Sequence, residues 1–453
     1  MVIIDRRNSR TNRRSKILIS LFLVIILSIS ILAISSEQLQ ESNDDSKESP
    51  VPVKISYTIH APILIDGNAG FLGPNVSTGI SWGSGTVSDP YIIEGWDINA
   101  SSADGIEIRN SDKHFTIRYC YIHEGIIFFN GIVLYNCTNG YLSNNTCRWN
   151  WEGIRLYSSY NITLSNNTCR SNQDFGIFFD RSSNNILSNN TCNWNQWEGI
   201  AILFSSKNNT LNNNNCSFNN GSGIRFSSSR SNLSNNVCYS NNEYGIVVDS
   251  SNNTISDNNC SNNGYGIVLY SSSNNTISNN NCSSNNNVGI YLDSSNSNTL
   301  NCNNCSNNDN GIYLWESSNN TIIWNQLCNN LLHGVYIWTG YSNSIWNNTF
   351  IGNNGAGSTY DPTHIQAYDN SNNNQWNSEN GYGNYWSDCT TPDDFPPWGI
   401  VDYPYWVNLS VWARDNYPQT TAPIIPEPTI LVLAGIMMML FLMIDRVRKS
   451  LIS

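Results

Sequence analysis

Short apolar and polar positions alternate along most of this chain, and nowhere between residues 131 and 350 does a helical period of 3.6 emerge. One stretch shows the pattern: Gly245-Ile-Val-Val248, then Asn253-Thr-Ile-Ser256, then Asn258-Asn-Cys-Ser261. Alternation at period 2 over three or four residues predicts a short, half-buried strand. The Asn, Ser and Gly clusters between such stretches supply turns, because Asn and Gly tolerate left-handed backbone. The unit then recurs. A Gly-Ile or Gly-Val pair stands at Gly131, Gly153, Gly176, Gly199, Gly223, Gly245, Gly266, Gly289, Gly311 and Gly334, and cysteines march with it from Cys147 to Cys328 at intervals of 22 to 24 residues. A fixed period of this length marks stacked repeats. Three strands and three turns per unit predict one coil of an all-β solenoid. Parallel strands pack about 4.8 Å apart, so ten coils span roughly 45 to 50 Å. Ile, Leu and Cys then point into a dry core while Asn residues hydrogen-bond along the axis. A β-propeller needs units of about 40 residues, and leucine-rich repeats need longer units with a clear apolar period.

Composition narrows the function classes. Only 12% of the 453 residues are charged and the net charge is −12. Nucleic-acid binding, which needs a basic footprint, is excluded. Nine cysteines, Cys147, Cys169, Cys192, Cys216, Cys238, Cys260, Cys282, Cys305 and Cys328, read as one inward register. Their stacking distance is within disulfide reach, but stacked side chains run parallel, so buried thiols acting as small apolar residues are expected. One thiol per coil does not make a tetrahedral metal cage. Cys302 is the extra member of a Cys-x-x-Cys pair with Cys305.

The two ends read as export machinery. A basic head (Arg6, Arg7, Arg10, Arg13, Arg14, Lys16) precedes an apolar run over 17–34, so residues 1–36 are expected to be a signal peptide or N-terminal anchor and 37–55 a disordered linker. After a linker at 418–428, an apolar run and Arg446, Arg448 and Lys449 make 429–449 a transmembrane segment with the body outside. Pro426-Glu-Pro428, the apolar run and the basic cluster resemble PEP-CTERM sorting signals. That resemblance implies an exosortase-type processing enzyme as partner and a membrane-anchored, cell-surface location.

Two blocks flank the repeats. The first is Ile63-Leu-Ile-Asp-Gly67, Phe71, Gly83-Ser-Gly-Thr86 and Asp89-Pro-Tyr-Ile-Ile-Glu-Gly-Trp96; the second is Gly383-Asn-Tyr-Trp-Ser-Asp388, Asp393 and Asp402-Tyr-Pro-Tyr405. With the repeats they resemble NosD-like members of the CASH-type carbohydrate-binding and sugar-hydrolase superfamily over residues 56–406. The resemblance implies a right-handed parallel β-helix: N-terminal cap and first coils at 56–130, repeats at 131–350, C-terminal cap and flank at 351–417. It does not fix a function, since one fold hosts lyases, hydrolases, adhesins and maturation factors. Relatives carry an acid-rich calcium loop where this chain reads Pro392-Asp-Asp-Phe-Pro-Pro-Trp-Gly399, which puts calcium in doubt. For copper the chain offers five His, with His114 and His123 nine apart, and Met only at residue 1 and in the C-terminal run.

Candidate chemistry lies on the strand after each repeat glycine. The second and fourth residues after Gly should face outward. Reading them down the stack gives an aromatic strip: Tyr270, Tyr291, Tyr313, Trp315, Tyr336 and Trp338. Aromatic faces on a rigid sheet suit sugar rings, and a contiguous exposed patch points to binding; the alternative is that residues 352–386 cover it. Asp249 and Asp293 fall two coils apart, roughly 9 to 10 Å, near the upper end for an inverting glycosidase pair. Asn-x-Ser/Thr sequons recur at Asn75, Asn144, Asn166, Asn189, Asn252 and Asn274. The leading expectation is a non-enzymatic module binding an extracellular glycan or surface polymer without a cofactor; a polysaccharide lyase or hydrolase and a copper-maturation factor are the alternatives.

Overall fold

The computed structural model describes residues 57–423, apart from 76, 77, 126, 127, 372, 391–398, 402 and 409. The expected signal peptide, the linker at 37–55, residues 424–428 of the second linker, the C-terminal segment and most of the calcium-loop position lie outside the described residues. Among those described, no helix is long and apolar enough to cross a membrane.

Each repeat closes one coil of a right-handed parallel β-helix. The strand after the glycine joins a long sheet of 13 parallel strands, from Ile63–Asp66 to Ala367–Asp369, and the Thr-Ile-Ser strand joins a second sheet of 12. The third side is five strands at the N-terminal end and three at the other. Single parallel bridges at Thr191, Asn215, Val237, Asn259, Asn281 and Asn304 continue it between them.

Register follows from what must point inward. Ile154, Ile177, Ile200 and Ile224 pair strand to strand in the long sheet, all fully buried. A side chain at the repeat glycine would collide with the next coil: a Cβ on Gly153 would lie 2.4 Å from the Gly176 carbonyl oxygen and 2.9 Å from the Cys169 Cβ. Eight cysteines from Cys147 to Cys305 stack in the core as free, buried thiols. Cys328 is the exception to the expected ladder. Asn304 bridges to Gln326, which places Leu327 in line with Cys305, and Leu327 pairs with Phe350. Cys328 stands one residue out of register, where its N–H donates to Ser306 Oγ at 3.2 Å. Cys302 occupies a left-handed corner with φ 57°, the place held by Asn279 one coil earlier.

Three columns of buried asparagine hold the corners. Asn236 shows the logic: its Nδ2 donates to the Leu211 carbonyl (3.0 Å) and to Asn258 Oδ1 (3.0 Å), while its Oδ1 accepts from both the backbone N–H and Nδ2 of Asn214 (3.0 Å each). Two donors and two acceptors are all satisfied, so a polar amide is buried at little cost. As Asn236 shows, a column amide donates both back to the previous coil and forward to the Oδ1 of the next, so the last one needs an acceptor that asks for nothing further. Each column ends on a buried carboxylate. Asn384 donates to Asp415 (N to Oδ2, 2.6 Å), Asn374 to Asp369 (3.0 Å), and Asn353 reaches Gln366, which donates to Asp388. Ring donors complete these acids: Trp386 Nε1 to Asp415, Trp376 Nε1 to Asp369 and Tyr405 OH to Asp388, each at 3.0 Å. The same rings close the core, with Trp386 stacked on Tyr405 at 4.0 Å and on Phe350 at 4.1 Å.

Candidate functional site

The outer face of the long sheet carries three columns of side chains: the residue before each repeat glycine, and the second and fourth after it. At the C-terminal end they form an aromatic surface. Tyr291, Tyr313, Tyr336 and Tyr368 succeed one another with ring centroids 5.3, 4.9 and 5.2 Å apart. Trp315 and Trp338 lie beside them, parallel within 5° at 5.8 Å and 36% and 41% exposed. All six expected strip residues share this face. Residues 352–386 contribute the next coil, placing Tyr368 in register with Tyr336, and leave both tryptophans exposed. Sequence reasoning missed Tyr244 and Tyr265, whose rings lie 5.4 Å apart, with Tyr265 6.2 Å from Tyr291. Both precede a repeat glycine, a position that simple alternation assigns inward; the glycine itself faces inward, against Cys260 and Cys282, so the residue before it faces outward. His333 stands in the same column, 5.2 Å from Tyr336, and burial lowers its pKa to about 4.

Toward the N-terminal end the same face is charged. Phe175, Trp197, Glu198, Phe204, Arg225 and Asp249 line a groove of about 460 Å³. Arg225 lies between two carboxylates, 3.9 Å from Glu198 Oε1 and 3.4 Å from Asp249 Oδ2. Glu198 is almost wholly buried, and its Oε2 has no hydrogen-bond partner. Burial pushes its pKa up against the pull of Arg225. Two coils earlier Glu152 repeats the arrangement: 2% exposed, paired to Arg155 at 2.9 Å, its Oε2 likewise unpartnered, its pKa raised by burial to about 7.

Asp249 and Asp293 stand two coils apart, as their offsets predict, and each turns to its own neighbours. Tyr270 pairs with Asp293 in the strand between them. Asp249 turns to Arg225 and to Ser227 Oγ (3.3 Å), and Asp293 accepts from Ser294 Oγ (2.9 Å). Among the described residues no three His, Cys, Asp or Glu side chains come together as a metal site; His123 pairs with Asp97 at 2.9 Å. The sequon residues Asn144, Asn166, Asn189, Asn252 and Asn274 sit exposed at left-handed corners, and the Asn after each is the buried column residue.

Two family profiles match the chain. One, described as a right handed beta helix region, matches residues 74–215 and 130–264; the other, described as periplasmic copper-binding protein (NosD), matches 227–391. No curated protein matches. Among solved structures, the A-module of the Azotobacter vinelandii mannuronan C-5 epimerase AlgE6 is 16% identical, covering 70% of this chain and 90% of its own, with a TM-score of 0.45. The periplasmic alginate epimerase AlgG is 14% identical, covering 62% and 81%, with a TM-score of 0.37. The Agl-KA catalytic domain is 16% identical, covering 70% and 62%, with a TM-score of 0.36. The chain is thus a right-handed parallel β-helix protein whose C-terminal repeats are similar to NosD.

Proposed function

We propose that this protein is an extracytoplasmic surface module that binds a glycan or related surface polymer along the outer face of its long sheet. The observation that carries the reading is the aromatic surface formed by Tyr270, Tyr291, Tyr313, Trp315, Tyr336 and Trp338, in which two parallel indoles stay exposed beside a tyrosine column. An isolated exposed ring needs no explanation, but a contiguous row on a rigid sheet is a binding platform. Sugar rings pack their apolar faces on such rings while their hydroxyls reach the tyrosine oxygens. Tethering by residues 429–449 and processing by an exosortase-type enzyme belong to the same proposal, since both put the sheet at the cell surface.

A glycan-array and soluble-polysaccharide screen on the full chain tests the reading, with Trp315→Ala and Trp338→Ala as paired variants. Each should weaken binding about tenfold or more, since a stacked aromatic at a binding centre contributes on that scale. Binding that survives both substitutions unchanged removes the strip from the reading.

A further inference from the structure

We propose that the groove around Glu198 is a subsite for a glycan bearing free amino groups, so that the polymer this face recognises is cationic rather than neutral or acidic. This rests on the reading of the sheet face as a polymer-binding surface and adds the charge class of the polymer.

Three observations point the same way. The first is the orphaned acceptor. Glu198 Oε2 is buried without a hydrogen-bond partner, and its side chain, 5% exposed, lines the groove. A buried carboxylate short of donors is costly, and an N–H reaching the Glu198 carboxylate from the groove lowers that cost. The second is the charge balance. Arg225 serves both Glu198 and Asp249, leaving the groove one negative charge in excess. Glu243 and Asp174 add further negative potential at Glu198, and Asp174 and Asp104 do so at Glu152, where Arg155 opposes them. An ammonium group is attracted to such a place; a uronate or sulfate is repelled. The third is the wall. Trp197 and Phe204 are 58% and 55% exposed, and with Phe175 they frame the carboxylate with aromatic rings. Ring faces attract cations and also pack the apolar face of a sugar, a pairing that a plain polyamine does not use.

The groove and the strip lie on the outer face of the same sheet. From the strand Ile224–Phe226 to the strand Asn310–Trp315 there are four steps of the long sheet, or roughly 19 Å. One extended chain laid along the helix axis can therefore engage both, with the strip holding any sugar and the groove selecting the amine.

Binding is measured on the full chain with four probes of matched length: a glucosamine oligomer, its N-acetylated form, an oligouronate, and the aliphatic polyamine spermine. The glucosamine oligomer should bind at least tenfold more tightly than the acetylated one, more tightly than spermine, and with a steep loss on adding salt; the uronate should not bind. Glu198→Gln should bring the amine and acetylated oligomers to within about twofold of each other, and Glu198→Asp should restore part of the difference. Trp197→Ala, at an exposed wall, repeats the test without touching a buried group. Equal binding of free and acetylated oligomers overturns the proposal, as does equal binding of spermine or an unchanged preference in Glu198→Gln and Trp197→Ala. The strip fails separately: Trp315→Ala and Trp338→Ala would then bind every oligomer as wild type does, whatever the groove variants do.

Discussion

The two halves of the long sheet share one backbone and one core yet present opposite outer surfaces. Between residues 152 and 249 the outward columns hold Glu152, Arg155, Glu198, Arg225 and Asp249, with Phe175, Trp197 and Phe204 beside them. From 265 to 368 the same columns are dominated by tyrosine and tryptophan, with one neutralised histidine and a single acid, Asp293. Inside, nothing changes: Ile, Leu, Cys and Asn repeat through both halves at full burial. The interior ladder is what makes the coil, so the outward columns are free to vary without cost to the fold. That separation is how a solenoid carries several chemistries on one frame.

The largest expected effect breaks the frame where the halves meet. Asn236→Ala removes an amide making four hydrogen bonds and leaves the Asn214 backbone N–H and one Nδ2 hydrogen without acceptors in the core. Each stranded buried group costs about 1 to 3 kcal/mol, so a loss of about 3 to 6 kcal/mol is expected in urea denaturation. Because coils contact only their neighbours, hydrogen exchange should rise first around 211–258. Uniform exchange along the whole helix would contradict this nearest-neighbour picture.

Next comes a pH effect confined to the charged half. Burial raises the Glu152 pKa to about 7, against the pull of Arg155 and with Asp174 and Asp104 adding to it. A carboxyl whose folded pKa lies above its unfolded value binds its proton more tightly in the native state. Its contribution is therefore complete below the unfolded pKa and is lost as pH rises through 7. Stability should fall by about 3 kcal/mol across that window, and Glu152→Gln should flatten the fall. A pH–stability curve that keeps its slope in the variant would assign the effect elsewhere. Asp415 gives a smaller version at the far end, where burial raises its pKa to about 6 despite the donors of Asn384, Trp386 and Tyr417. The sign is the same: stabilisation is present at low pH and lost as pH rises through 6. Asp415→Asn should remove that slope while loosening the cap by about 1 to 2 kcal/mol, read as faster exchange at the Asn384 amide.

The coil was legible in the sequence because its determinants repeat. Glycine is demanded by the close approach of the next coil, and the inward Ile and Cys positions recur at fixed offsets, so counting them yields fold, register and outward face together. Cys328 was misplaced for a physical reason: Leu327 fills the inward slot equally well, and the cysteine beside it mimics the period while standing outside it. The strip was readable because its members occupy two outward offsets of successive coils. The groove was not. Trp197 and Glu198 precede a repeat glycine, where the inward-facing glycine reverses the alternation, and their partners Arg225 and Asp249 come from two later coils. The carboxylates ending the asparagine columns were hidden too, since Asp369, Asp388 and Asp415 reach their partners through a cap without a repeat.

The smallest expected effect sharpens the comparison most. If the outward columns are independent of the frame, then removing Trp315 or Trp338 should hardly change stability, even though each indole is large. Both are more than a third exposed, and what they pack on are each other and, for Trp338, the Tyr336 ring. An exposed aromatic pair contributes about 0.5 to 1.5 kcal/mol, so each alanine variant should lose no more than about 1 kcal/mol in urea. The double variant should cost less than the sum of the two, because the stacking contact can be lost only once. A loss of about 3 kcal/mol or more from either single change would mean that the strip is part of the frame, and that its place on the surface serves folding before it serves binding.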